Sequence, residues 1–170
     1  KLTGVPRIVA IIIAELEKVF GKLVTTMYEF TNCGVKHTQR RLTFAIKLDQ
    51  TAYINALKPI VHGSLTSADN ETPVLEAVYS LFRSLLGAVA YATLTRADIA
   101  VFVVAFQRVG EKCLVSHVRG LNKLVRYMQR NPQHLAYGPL KGPTQIVTFS
   151  DSAFKKEEST GHALKGFVTI

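Results

Sequence analysis

The chain has 170 residues, of which 48% are hydrophobic and 19% charged, and its 11 glycines and 6 prolines are too few for a low-complexity repeat. This composition excludes a peptide hormone, a bare linker and a disordered tail, and it predicts one domain or two small ones. Lysine and arginine number 21 against 12 acidic residues, a formal charge of +9. Such an excess points first to polyanions such as nucleic acids, with basicity for solubility alone as the alternative.

The two cysteines and the hydropathy of the chain indicate the kind of compartment in which the protein would function. Cys33 and Cys113 stand far apart in the sequence and suggest neither a zinc site nor a disulfide framework, so we expect a reducing, intracellular compartment. The most apolar run, residues 8–14, is much shorter than the about 20 residues of a membrane span, so we expect no transmembrane helix and no membrane partner. The chain starts at Lys1 and ends in a strand-like run, and we expect a fragment of a longer protein.

The N-terminal part predicts a helix, a β-hairpin and a short helix. Apolar residues recur at helical spacing over 7–20. Residues 28–48 contain short apolar runs with a two-residue period, which predicts a hairpin. Within it, Gly34 suggests a bulge or a close backbone approach, and the polar stretch 36–41 supplies the outer arm and turn. A short helix follows over 51–57.

Three further helices are predicted after a polar loop at 62–71. The Thr-Pro pair at 72–73 is typical of an N-cap followed by a first-position proline. Residues 95–98 form a capping-box pattern with Asp in place of Glu or Gln, and Gly110 would end the apolar helix that they open. We therefore expect helices over residues 73–92, 95–110 and 112–130.

The C-terminal part predicts strands beyond a boundary. Residues 138–143 are rich in glycine and proline, and we place the domain boundary near residue 140. Two strand-like runs, 144–150 and 161–170, are joined by the polar stretch 151–160. The elements together predict an α+β fold.

The predicted helix at 112–130 has two chemically different sides. At about 100° per residue, one side collects the basic residues Lys112, Arg119, Lys123, Arg126 and Arg130. The other side collects Leu114, His117, Leu121, Leu124 and Met128. Like charges one turn apart repel unless an anion lies along them, so we favour a phosphate backbone there over an ordinary solvated face. We expect His117 to be buried and hydrogen-bonded rather than a ligand or base.

One carboxylate is a candidate metal ligand. Asp151 ends an apolar run, and an acid in the centre of a sheet is costly unless it binds a cation. A strand-end aspartate that caps a turn is the alternative. The sequence contains no phosphate-binding loop, nucleophile elbow or HExxH motif.

Several segments, in order, resemble a copia-type retrotransposon polyprotein where reverse transcriptase passes into ribonuclease H. The most specific is FRSLLGAVAYATLTRADI at 82–99, similar to the family's YRSLVGSLLYLTxTRPDI, with Ala97 in place of proline. Residues 117–128 are similar to HxxAxxRxLRYLKGT. FSDSAF at 149–154 resembles YSDADWA, with phenylalanine where tryptophan is usual, and 159–170 resembles RSTSGYVFxL.

Two upstream segments extend the resemblance. Residues 16–34 resemble the end of the polymerase palm and its closing hairpin, and IKLDQTAY at 46–53 resembles IxLSQxxYI at the entry to the thumb. The resemblance implies three parts: 1–48, the palm end with a primer-grip-like hairpin; 49–139, a helical thumb and connection; and 140–170, the first β-hairpin of a truncated ribonuclease H domain.

The family is an RNA-directed DNA polymerase with ribonuclease H that uses Mg²⁺ in both sites. The YVDD pair of the polymerase does not occur in this sequence, and Asp151 matches only the first of four ribonuclease H acids. The resemblance therefore implies that Asp151 is a catalytic metal ligand in the parent protein and that the fragment alone is inactive. It assigns nucleic-acid binding to Phe30, Cys33 and Gly34 of the primer-grip-like hairpin, for which a purely structural role is the alternative.

The implied partners are the template-primer duplex, an RNA–DNA hybrid and the remaining Pol polyprotein, and the sequence leaves a dimer open. The implied locations are a cytoplasmic virus-like particle and the nucleus. Two other functions remain open: a decayed or domesticated fragment that only binds nucleic acid, and a basic helical module for protein partners.

Overall fold

The chain is α+β, as the sequence predicts. The computed structural model describes residues 4–110 and 112–139 with their side chains, and the backbone of two strands at 148–156 and 163–169. The contacts divide the chain into two compact units, Lys1–Gly138 and Pro139–Ile170. None of the described helices is long and apolar enough to cross a membrane. The division into palm, thumb and ribonuclease H parts stays a prediction.

The first unit combines helices with an antiparallel sheet. Its helices are α1 (Pro6–Phe20), α2 (Thr51–Ala56), α3 (Glu76–Ala92), α4 (Ala100–Gln107) and α5 (Val115–Arg130), with 3₁₀ turns at Gly63–Leu65 and Ala97–Ile99. Its strands are β1 (Glu29–Asn32), β2 (Val35–Gln39), β3 (Ile46–Asp49) and β4 (His134–Tyr137), in the order β1-β2-β3-β4. The five helices predicted from periodicity are confirmed, with shifted ends.

The segment predicted as one hairpin forms three strands. A two-residue turn, Cys33 and Gly34, joins β1 to β2, and both residues have positive φ, 47° and 75°. Such a turn matches the twist of a hairpin and favours glycine. The predicted bulge at Gly34 is therefore wrong, whereas the predicted outer arm and turn are confirmed: residues 36–39 belong to β2, and residues 40–41 lead into the turn that follows it.

β4 was not predicted. It pairs antiparallel with β3, with Asp49 opposite His134 and Leu48 opposite Leu135. Its four residues, HLAY, follow a break at Pro132 and are too few for an apolar period to indicate a strand. The pairing with β3 rather than local sequence makes this segment a strand.

Two predicted helix starts are wrong. α3 begins at Glu76 because the residues before it are extended, with Pro73 bridged to Leu114 and the Val74 N–H donating to the Cys113 carbonyl at 3.1 Å. The capping box before α4 does not form, because the Asp98 carboxylate accepts hydrogen bonds from the Arg96 guanidinium instead.

The core lies between α2, α3, α4 and α5. Its fully buried side chains include Ile54, Val78, Phe82, Val89, Ile99, Val118, Leu121, Val125 and Met128. α1 contributes no buried residue. Because α5 supplies several of these buried side chains, the core fixes the position of α5, the helix that carries most of the predicted basic residues.

The second unit contains β5 (Thr148–Lys156) and β6 (Ala163–Thr169), which pair antiparallel. Because β5 continues to Lys156, the predicted connection over 151–160 is wrong for its first six residues. The predicted strand residues 144–147, 161–162 and 170 lie outside the described residues.

Candidate nucleic-acid interface

The outer side of α5 carries three exposed cations, Lys123, Arg126 and Arg130, which we call the α5 basic surface. The helix contains no acidic residue, and none of the three cations forms an ion pair with another described side chain. At 1.5 Å per residue the three span about 10 Å along the helix axis. Unpaired cations at this spacing can contact successive anionic groups.

The inner side of α5 is buried: Leu121, Leu124 and Met128 lie there as predicted, whereas Leu114 is half-buried and precedes the helix. Its buried residues are Val115, Val118, Leu121, Asn122, Leu124, Val125 and Met128. Asn122 is the polar exception: its side-chain amide donates to the Ile60 carbonyl at 2.8 Å and accepts from the Ile60 N–H at 2.7 Å. These paired hydrogen bonds fix α5 against the chain that follows α2.

Arg119 differs from the rest of the predicted row. Its guanidinium donates to the Asn70 side-chain oxygen at 2.7 Å and to the carbonyls of Leu65 and Ala68 at 2.8 and 2.9 Å. Arg119 is therefore committed to holding the loop after α2. Lys112 is exposed but precedes the helix. The structure thus brings together three of the five predicted basic residues on the open side of α5.

His117 caps the start of α5. Its Nδ1 accepts a hydrogen bond from the Leu114 N–H at 3.0 Å, which satisfies one of the free donors at a helix N-terminus. The predicted hydrogen bonding is confirmed, but the ring is half-buried rather than buried and lies in the first turn of the helix.

Arg96 anchors the other end of α5. Its side chain is 0% exposed, and Nη1 donates to the carbonyls of Asn131 at 2.9 Å and Met128 at 3.3 Å. Nε and Nη2 each donate to the Asp98 carboxylate at 2.8 Å. These hydrogen bonds lower the pKa of Asp98 below its usual value and raise the pKa of Arg96. A buried cation at the carbonyl end of a helix also suits the helix dipole.

Sequence reasoning missed Arg96 because it treated the arginine as part of a capping box. A signal was present in the Arg-x-Asp spacing, which allows a local bidentate pair. The partners of this pair on α5 are carbonyl groups, which side-chain patterns do not reveal.

The hairpin turn is fixed on α2 and α3. The Tyr91 hydroxyl donates to the Cys33 carbonyl. A Cβ added at Gly34 would lie 3.2 Å from Tyr53 Cδ2, so the predicted close backbone approach is confirmed and is made to α2.

The thiol of Cys33 is exposed. Phe30 is half-buried and stacks on His37, with ring centroids 4.8 Å apart. The binding role assigned to Phe30, Cys33 and Gly34 stays a prediction.

The carboxylate of Asp49, which lies just before α2, has a structural role. Asp49 accepts from the Thr51 N–H at 2.7 Å and pairs with Lys47 at 3.0 Å. Partial burial acts to raise the pKa of Asp49, but the hydrogen bonds from Thr51 and Lys47 outweigh it and lower the pKa to about 2. Asp49 therefore stays ionised and ties β3 to α2.

The candidate metal ligand lies in the second unit. The Asp151 backbone is in β5, opposite Gly166 in β6, rather than at a strand end, and its side chain lies outside the described part of the chain. Among the described side chains, no three of His, Cys, Asp or Glu come together in a group that could hold a metal ion. The expected Mg²⁺ site that would include Asp151 therefore stays a prediction.

Comparisons of this chain with family models, with curated proteins and with solved structures found no match. The candidate interface therefore rests on its own geometry. That geometry is a rigidly anchored helix with a buried inner side, an acid-free sequence and three exposed cations.

Proposed function

We propose that this chain is the part of a retrotransposon reverse transcriptase that grips the template-primer duplex, with α5 lying along the phosphate backbone. The observation that carries the proposal is the α5 basic surface, three exposed cations with no acid on their helix. An RNA–DNA hybrid is recognised mainly through its shape and phosphates, and lysine and arginine supply such contacts.

The segments that carry the family resemblance also hold the first unit together. Gln50, in the thumb-entry segment, accepts a hydrogen bond from the Thr95 hydroxyl at 2.8 Å. Tyr53 donates to the Ala88 carbonyl at 3.0 Å. Both partners belong to the 82–99 segment, whose Arg96 in turn binds the end of α5. These contacts join the segments that carry the resemblance into one structural unit.

In this proposal catalysis belongs to the parent protein. The parent would be an RNA-directed DNA polymerase with ribonuclease H that uses Mg²⁺, and Asp151 would be this chain's single metal ligand. The alternative is a decayed or domesticated fragment that only binds nucleic acid. The reading frame around this segment separates the two, because an upstream YVDD and downstream acids favour the polymerase and stop codons favour decay.

The binding proposal is tested with the full chain and a labelled RNA–DNA hybrid over a salt series. The variant Lys123→Gln/Arg126→Gln/Arg130→Gln is compared with Arg7→Gln/Lys18→Gln/Lys22→Gln, which removes three exposed charges in and just after α1. Each phosphate contact adds about 0.9 to the salt slope on a DNA duplex. We expect the α5 variant to lose about two to three units of slope and the α1 variant less than about one.

Two results would contradict the proposal. One is a folded wild-type chain that does not bind the hybrid. The other is equal loss of binding in the two triple variants, because net charge alone would then explain the affinity.

A further inference from the structure

The exposed side of α5 carries one aromatic residue beside its cations. Tyr127 follows Lys123 by four residues and precedes Arg130 by three, so the three side chains are neighbours on the helix surface. Its side chain is 43% exposed. An aromatic ring therefore lies at the edge of the α5 basic surface.

The orientation of this ring follows from Arg96. The guanidinium carbon of Arg96 lies 5.6 Å from the Tyr127 ring centroid, and Arg96 has no exposed surface. The exposed part of the ring therefore faces away from Arg96, toward solvent. The Tyr127 hydroxyl also contacts the Asp98 carboxylate at 3.4 Å. The ring is thus supported from behind, and little side-chain freedom would be lost when a ligand stacks on it.

We propose that Tyr127 is a stacking site for an unpaired base, in a single-stranded segment that continues from the duplex held by the α5 basic surface. The inference rests on the proposed function, because the cations that hold the duplex also place the single strand. Aromatic side chains stack on any base, and adjacent cations neutralise the flanking phosphates. Bases inside a blunt duplex are already stacked on each other, so only an unpaired base has a free face for Tyr127.

A second tyrosine supplies a matched control. Tyr79 on α3 lies beneath Arg83, with the guanidinium carbon 5.9 Å from the ring centroid. It is half-buried and lies outside the α5 basic surface. Tyr79 therefore resembles Tyr127 in having an arginine guanidinium near its ring, and it differs from Tyr127 in lying away from the three cations of the α5 basic surface.

The test compares a blunt RNA–DNA hybrid with the same hybrid carrying a single-stranded extension of about ten nucleotides, on the RNA strand in one arm and on the DNA strand in the other. Full-length wild type, Tyr127→Leu, Tyr127→Phe and Tyr79→Leu are measured. We expect Tyr127→Leu to weaken binding of an extended hybrid by about 5- to 160-fold, the range for loss of one stacked base. Binding of the blunt hybrid by Tyr127→Leu should match wild type, and the other two variants should bind both substrates as wild type does.

A measurement on unaltered protein covers the case in which Tyr127→Leu does not fold. A 2-aminopurine base placed in the extension loses fluorescence when it stacks, so we expect quenching on binding to wild type. No quenching, or equal binding of the extended hybrid by folded Tyr127→Leu and wild type, would overturn the inference. If either result is obtained while binding of the blunt hybrid and its salt slope stay normal, the inference about Tyr127 fails but the proposed function is retained. A wild-type chain that binds neither the blunt nor the extended hybrid overturns both the inference and the proposed function.

Discussion

Helices α1 and α5 have similar amphipathic patterns and opposite surroundings. α5 buries seven residues, its first turn is capped by its own His117, and its last turn is held by Arg96. α1 buries none, and its Val19 and Phe20 are 75% and 73% exposed. An amphipathic pattern therefore predicts a helix with an apolar side, but it does not predict what covers that side.

The largest expected effect is on the buried side of α5. Leu121→Ala removes a fully buried side chain, and we expect the free energy of unfolding to fall by about 3 to 4 kcal/mol. Leu16→Ala makes the same change on α1, where the leucine is partly exposed, and should cost less than about 1 kcal/mol. Urea unfolding followed by circular dichroism measures both. Equal losses would show that the apolar side of α1 is covered in solution.

A smaller effect is expected at the anchored end of α5. Arg96→Leu leaves Asp98 and two carbonyls without their donor, and we expect a loss of about 2 to 3 kcal/mol in the free energy of unfolding. Arg83→Leu, an exposed arginine on α3, is the control and should stay within about 0.5 kcal/mol of wild type. An Arg96→Leu chain as stable as wild type would contradict the assignment of Arg96 as an anchor.

The smallest effect concerns the tie between β3 and α2, and it depends on pH. Asp49 has a pKa of about 2 in the folded chain, below its ordinary 3.8, so its contribution is present above about pH 4 and is lost as the pH falls toward 2. We expect Asp49→Asn to be less stable than wild type by about 1 kcal/mol at pH 6 and nearly equal to it at pH 2. Unfolding curves at both pH values test this, with Asp69→Asn in the exposed loop as control. A difference that does not change with pH would argue against the ionised pair.

Local patterns predicted the helices well because each helix is determined by residues within a few turns of one another. Most of the buried side of α5 follows from its spacing, whereas the turn at Cys33 and Gly34 was not predicted as a turn. The α+β class is correct for the same reason. The more specific palm, thumb and ribonuclease H assignments depend on resemblance and stay proposals.

The missed features all depend on distant partners. β4 is a strand because β3 lies beside it. Arg119 leaves the predicted basic row because the loop at 65–70 offers it carbonyl and amide oxygens. Arg96 is buried because α5 ends against it. No spacing rule along the sequence contains this information, since each partner lies more than thirty residues away.

The pairing of β3 with β4 has a consequence for how the first unit assembles. Asp49 and His134 lie side by side although all the core helices, α2 to α5, are encoded between them. The helical region is thus a long loop whose two ends meet in the sheet. Closing such a loop costs conformational entropy, and this cost is smaller if the helices pack before β4 pairs with β3. A ribosome must therefore release the whole helical region and the chain up to Tyr137 before the sheet can gain its last strand, and a chain cut before residue 134 would leave β3 as an open edge.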